Sequence, residues 1–155
     1  MSFDQKNTLS VTYYSVMKST CPLILLITIS CCSPAYASCI DEAAAQFNVP
    51  VQIINAISEI ESRNNPTALH RNQDGSYDIG YMQINSGWAP TLMRYGIDEQ
   101  KLFDLCTNVY VGTWILANNI KRLGYRWEAI GAYNARDKHK RDIYTHKVAA
   151  ALTRG

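Results

Sequence analysis

From residue 38 to residue 153 apolar side chains recur at helical spacing, and one stretch, residues 70–85, breaks the pattern. A chain arranged in this way must build its core from packed helices and fit one small non-helical insertion between them. Asp74-Gly75 lies inside the break and is a hairpin turn signal, so the insertion reads as a small β excursion or an ordered loop. The predicted class is mainly α, of the α+β kind: a helical domain with a small β-hairpin insertion.

Local signals set the helix boundaries. Ser38 precedes Asp41 and Glu42, which place negative charge in the first turn of a helix running to about Phe47 and ended by Asn48. Pro50 suits the first turn of the next, whose apolar residues are Ile53, Ile54, Ala56, Ile57 and Ile60, and Asn64, Asn65 and Pro66 stop it. Pro90 and Asp98 open two short helical segments. A longer helix is expected over 107–123 before Gly124, with two more over 126–134 and 137–153. Neither an internal repeat nor a low-complexity linker interrupts them, so residues 38–155 form one domain.

Ahead of that domain, CPLILLITISCC at 21–32 follows Lys18 and precedes AYA at 35–37, which offers small residues at the two positions read by signal peptidase. Residues 1–37 therefore read as a secretory leader cleaved after Ala37, and residues 1–16 as an upstream extension, because Met17-Lys18 is itself a typical leader start. The apolar run is too short for a comfortable membrane span. Export would leave Cys39 and Cys106 as the cysteines of the mature chain. One disulfide is their simplest arrangement in an oxidising compartment, and two buried thiols are the alternative. A formal charge of +2, 18% charged residues and no basic run longer than KHKR at 138–141 argue against a nucleic-acid partner. His70, His139 and His146 share no metal-ligand spacing with other donors, so neither a metal nor a cofactor is expected.

Two acids flank the break. With each residue advancing about 100° around the helix that begins at Pro50, Glu61 falls within roughly 70° of the apolar centre near Ile53 and Ile57, and Glu59 about 130° away. Glu59 belongs to the solvent face, and Glu61 points towards the body of the domain. A carboxyl in an apolar site without a close cation has a raised pKa and can serve as a general acid near neutral pH. On helix geometry alone Glu61 also fits a residue at the edge of the apolar face that hydrogen-bonds the neighbouring loop. Asp78 follows the turn, in a segment able to fold back across the end of the Glu61 helix. Two carboxyls across a cleft are what glycosidic cleavage requires, one to protonate the leaving oxygen and one to face the charge at the anomeric carbon. Asp78 reads equally well as a turn-capping residue. In GYMQIN, which follows, Gly80 permits close backbone approach, and Met82, Gln83 and Asn85 are candidate liners of a sugar site.

Glu61-Ser62, GYMQI at 80–84, NVYVGTWIL at 108–116 and AYNA at 132–135 resemble the successive motifs of the lytic transglycosylases, and above all the small ones that accompany type III secretion, conjugation and type IV pilus machines. The likeness runs from about Cys39 to Leu152. Within it, Glu61-Ser62 followed by NQDGSYDIGYMQINS is similar to the c-type lysozyme segment that carries its acid and second carboxylate, and the seventeen-residue step from Glu61 to Asp78 matches without a gap. The resemblance implies a lysozyme-like fold with Glu61 as catalytic acid and then base. It implies that Ser62 holds local geometry beside Glu61, and that Gln83 and the backbone around Met82 contact the glycan. Tyr133 would hydrogen-bond near Glu61 or the substrate, and Asn134 would support that loop. As an alternative, Tyr133 is a core aromatic with its hydroxyl at the surface. Trp88 is the candidate for stacking on sugars, and Trp114 belongs to the core. Arg136 stands where the family usually has glycine after YNA, which puts that loop's backbone in question.

The activity implied is cleavage of the β-1,4 bond between N-acetylmuramic acid and N-acetylglucosamine with formation of a 1,6-anhydro ring. The partners implied are peptidoglycan strands and components of a secretion or pilus apparatus, met by a periplasmic monomer. The alternatives are a lysozyme-type hydrolase, if Asp78 directs a water, and a non-catalytic glycan-binding assembly module.

Overall fold

The computed structural model describes residues 35–154. The expected leader lies outside the described residues except for its last three, which open the first helix. That helix, α1 (Ala35–Phe47), is followed by α2 (Val51–Ser62) and by three short strands, β1 (Leu69–Arg71), β2 (Tyr77–Ile79) and β3 (Ile84–Asn85). A run of short turns of helix holds α3 (Ala89–Leu92), and then come α4 (Leu105–Leu123), α5 (Trp127–Asn134) and α6 (Lys138–Leu152). The expected helices form with boundaries moved by one to three residues. Asp104 accounts for one shift, since its carboxylate accepts from the Thr107 N–H at 2.8 Å and starts α4 at Leu105. Asp137 caps α6 in the same way through the Lys140 N–H at 3.0 Å.

The insertion is a three-stranded antiparallel sheet in the order β1-β2-β3, one strand more than a hairpin. His70 pairs with Asp78, Arg71 with Tyr77, and Asp78 in turn with Asn85. The β1–β2 loop closes through Gly75, at φ +86°, with its N–H on the Asn72 carbonyl at 3.2 Å and the Asn72 N–H on the Ser76 carbonyl at 2.8 Å. This is a three-residue loop with a left-handed glycine, a common hairpin solution. Successive strand side chains point to opposite faces, so Ile79 and Ile84 enter the core while their neighbours Asp78 and Asn85 face out together.

Helix α4 packs on α1 and α5, and α6 packs on α5 and α2. Ile54 and Ile57 of α2, Ile79, Met82 and Ile84 of the insertion, Val109 and Leu116 of α4 and Val148 of α6 are fully buried together. The sheet therefore shares the helical core. Cys39 of α1 and Cys106 of α4 form a disulfide with Cα atoms 5.5 Å apart, tying two residues 67 positions apart. Glu59 sits half-exposed on the solvent side of α2, in an ion pair with Arg154 at 2.9 Å.

Candidate active site

Helix α2 ends abruptly, and that ending sets up the site. Arg63 and Asn64 both adopt left-handed backbone, at φ 55° and 61°, which turns the chain away directly after Glu61 and Ser62. The Ser62 hydroxyl donates to the Tyr81 carbonyl at 2.7 Å and accepts from the Asn65 N–H at 3.0 Å. Both bonds are internal, so Ser62 fixes the end of the helix against the segment after β2.

That segment is held from α4 as well. Asn108 is fully buried and donates through Nδ2 to the Ile79 carbonyl at 2.8 Å and the Leu102 carbonyl at 2.7 Å, while its Oδ1 accepts from the Met82 N–H at 2.7 Å. Gly80, at φ +79°, lies so close that a Cβ there would collide with the Asn108 side chain and the Leu102 carbonyl. The close approach that Gly80 allows is thus to Asn108. Met82 departs from the expectation for a sugar-site residue. Its side chain is wholly buried against Gly112, and its N–H and carbonyl are engaged by Asn108 and by the Tyr133 hydroxyl, which donates at 2.9 Å. Met82 anchors the wall of the site from inside.

Glu61 and Asp78 line one cleft of about 830 Å³ between the helices and the sheet, together with Gln83, Asn85, Trp88 and Tyr133. Asn134, Lys140, and His70 and Arg71 of β1 line it as well. Gln83 has left-handed backbone at φ 52° and donates its amide to the Gly80 carbonyl at 2.9 Å and the Ala68 carbonyl at 3.3 Å. Trp88 packs edge-to-face on Trp114 with ring centroids 5.5 Å apart, and Trp114 in turn meets Tyr95 at 6.5 Å, which leaves Trp114 to the core and Trp88 to the cleft. Arg136 is exposed and outside the left-handed region, so its side chain meets no backbone strain where the family usually has glycine. Among the described residues, no three His, Cys, Asp or Glu side chains converge as a metal would require.

The two carboxyls occupy different surroundings. Glu61 is held at a pKa of about 7, against an ordinary value of 4.5. Loss of solvent is the main cause; a hydrogen bond from Tyr144 opposes it, the negative charge of Asp78 adds to it, and Lys147 weakly opposes it. Tyr144, buried on α6, donates its hydroxyl to Glu61 Oε1 at 2.5 Å. Burial and the adjacent Glu61 push both Tyr144 and Tyr133 well above the ordinary phenol range, so both remain donors. Asp78 sits in the middle strand, where its two oxygens accept from the side-chain amides of Asn72 at 2.9 Å and Asn85 at 2.8 Å. The turn-capping role falls to Asp74 instead, which accepts from the Ser76 N–H at 2.9 Å and hydroxyl at 2.7 Å; these bonds pull its pKa down.

Tyr144, Asn108 and Asn72 are the site residues that sequence reasoning missed. For Tyr144 the available signal was a spacing of four and seven residues to the apolar Val148 and Ala151, masked by the charges around it. Asn108 stood as a lone amide on an apolar helix face.

A glutamic acid whose pKa burial raises to about 7, lining one open groove with a second carboxyl, is the arrangement of a glycan-cleaving enzyme built on a lysozyme-like fold. In fold the chain matches the solved structure of an inactive mutant of the lytic transglycosylase Slt from Pseudomonas aeruginosa. The TM-score is 0.61 over 77% of this chain, and this chain spans only 23% of that longer one, at 22% identity. Residues 38–150 match the sequence profile of the Transglycosylase SLT domain. The chain belongs to the Transglycosylase SLT domain family and is a peptidoglycan lytic transglycosylase. It is 42% identical over 130 residues to the Invasion protein IagB of Salmonella typhimurium, covering 83% of this chain and 81% of that one. It is 36% identical over 118 residues to Protein IpgF of Shigella flexneri, covering 70% and 78%. A third relative, the X polypeptide of Escherichia coli, is 37% identical over 124 residues, covering 76% and 73%.

Proposed function

We propose that the protein cleaves the β-1,4 bond between N-acetylmuramic acid and N-acetylglucosamine and leaves a 1,6-anhydro end, opening the wall locally for an envelope-spanning machine. The observation that carries this reading is Glu61, half-protonated near neutral pH and oriented by Tyr144 inside the cleft. Protonated Glu61 gives its proton to the bridging oxygen as the bond from the muramic C1 breaks, and the electron pair leaves with the glucosamine O4. The resulting carboxylate takes the proton from the C6 hydroxyl of the same muramic sugar as that oxygen closes on C1. Glu61 ends as it began, and no water is consumed.

Asp78 supports a second reading. Its carboxylate is oriented into the cleft by two amides, where it would either face the positive charge developing at C1 or hold a water for attack there. The latter makes the enzyme a lysozyme-type hydrolase. Mass spectrometry of the products from purified sacculi separates the two: anhydro ends are one water lighter than reducing ends. A digest holding only reducing ends refutes the transglycosylase reading.

The proposed location is the periplasm, reached through the leader at residues 1–37. A disulfide between Cys39 and Cys106 suits that oxidising compartment. The role in opening the wall for an apparatus rests on the motif likeness to secretion- and pilus-associated enzymes and on a relative described as an invasion protein.

A further inference from the structure

The last turn of α2 carries Glu61 into the cleft, while Ile53, about 12 Å back along the same helix at 1.5 Å per residue, lines a separate cavity of about 270 Å³. Ile53, Ile120 and Leu152 make that cavity apolar, and the exposed Tyr125, Arg126 and Trp127 line it too. It shares no lining residue with the cleft. The turn from α4 into α5, with the sequence KRLGYRW at 121–127, supplies these exposed residues. Tyr125 leaves 63% of its surface in solvent and Trp127 48%. Lys121 and Arg122 complement the negative end of α4, but Arg126 lies beyond that helix. Arg126 enters no ion pair among the described residues, and the acid nearest to it in sequence, Glu128, is paired with Arg141 at 3.4 Å. One further acid, Asp41, lines a neighbouring hollow that Tyr125 also borders.

Two exposed rings and three cations within seven residues, beside an apolar hollow, match the chemistry of a bilayer's interfacial zone. There Tyr and Trp rings sit at the level of the headgroups, and Lys and Arg meet lipid phosphates. No helix among the described residues is long and apolar enough to cross a membrane, so the contact is with a surface. A protein segment would fill the hollow, but cations set around two rings answer a surface of repeated phosphates better than they answer one side chain. We propose that the α4–α5 turn docks the protein on an anionic lipid bilayer, with Tyr125 and Trp127 entering the headgroup zone and the Glu61 cleft left uncovered. This docking does not depend on which products the cleft forms.

The test is co-sedimentation of the protein, purified as cells produce it, with vesicles of phosphatidylcholine alone or mixed equally with phosphatidylglycerol. Affinity for the anionic vesicles is expected to be about a hundredfold higher, since each surface cation contributes about a factor of five, and to fade at high salt. Arg126→Glu is expected to weaken anionic-vesicle binding about twentyfold, by the loss of one positive charge and the gain of a negative one. Arg126→Lys is expected to retain it, and Tyr125→Ser to lose affinity several-fold. Every variant carries the same residues 1–34, so their contribution cancels in the comparison. Tryptophan emission should shift to the blue on anionic vesicles, and Trp127→Phe should abolish that shift. Lysis of purified sacculi, an assay without lipid, is expected to stay at the wild-type rate in each variant and verifies that they fold. Equal binding to the two kinds of vesicle, or none to either, overturns the lipid assignment and leaves this face to a protein partner. Wild-type affinity in Arg126→Glu overturns it as well.

Discussion

The burial that makes Glu61 an acid also places a pH-dependent load on the fold. Unfolded, its carboxyl titrates near 4.5; folded, near 7. The folded state therefore holds the proton more tightly, and its stability is undiminished below about pH 4.5 and falls as pH rises towards 7. For a shift of this size the linkage relation gives a loss of about 0.2 kcal/mol at pH 4, about 2 kcal/mol at pH 6 and about 3 kcal/mol at pH 8, where it levels off. Glu61→Gln keeps the shape and the acceptor for Tyr144 but has no proton to lose. It is expected to match the wild type at pH 4 and to exceed it by about 2–3 kcal/mol at pH 8, while losing lysis of sacculi at every pH. Urea unfolding at pH 4, 6 and 8 measures this directly, with equal m-values as the check on two-state behaviour. A stability difference that does not grow with pH, or a Gln variant weaker than the wild type at pH 8, refutes the claim that burial raises the Glu61 pKa.

Tyr144→Phe removes the donor that favours the charged form of Glu61, so the alkaline limb of the pH–rate profile is expected to move to higher pH; a uniform loss with an unmoved limb would assign Tyr144 to packing alone. Asp78→Asn is expected to lose roughly tenfold to a hundredfold in kcat on sacculi, and wild-type rates would remove Asp78 from the chemistry. Asn108→Ala leaves one backbone donor and two acceptors buried without their partner and is expected to destabilise the protein by roughly 3 kcal/mol in thermal unfolding. Replacing Cys39 and Cys106 together by Ser is expected to cost about 2–4 kcal/mol in urea unfolding, and added reductant should then have no further effect.

Where the chain is periodic, its sequence was readable. Helix α2 has one apolar face, and that alone separates Glu61 from Glu59, which the structure places in the cleft wall and in a surface ion pair. Residues 77–83 have no such rhythm, and there inside could not be told from outside. Met82 reads as a groove residue and proves to be core, because the turn at Gly80 and the left-handed Gln83 break the strand alternation on either side of it. Asp74-Gly75 correctly announces a hairpin, yet its three-residue loop moves Asp78 into the middle strand and hands the capping role to Asp74. Tyr144 was hidden for another reason: α6 carries charges nearly all round, and its buried stripe is only Tyr144, Val148 and Ala151.

The relation between the two carboxyls depends on how that aperiodic segment is held. Three helices each fasten it with a side chain bonded to its backbone: α2 through Ser62 to the Tyr81 carbonyl, α4 through Asn108 to Ile79 and Met82, and α5 through Tyr133 to the Met82 carbonyl. Apolar packing of Ile79, Met82 and Ile84 would bury the segment but would tolerate small slides along the core, since burial is not directional. Hydrogen bonds with fixed donors and acceptors remove that freedom. A shift of about 1 Å is enough to misplace catalytic groups by factors near a hundred in rate. The motifs around Ser62, Asn108 and Tyr133 thus serve one purpose, holding Asp78 and Gln83 in fixed register with Glu61, although none of the three side chains is needed as an acid or base.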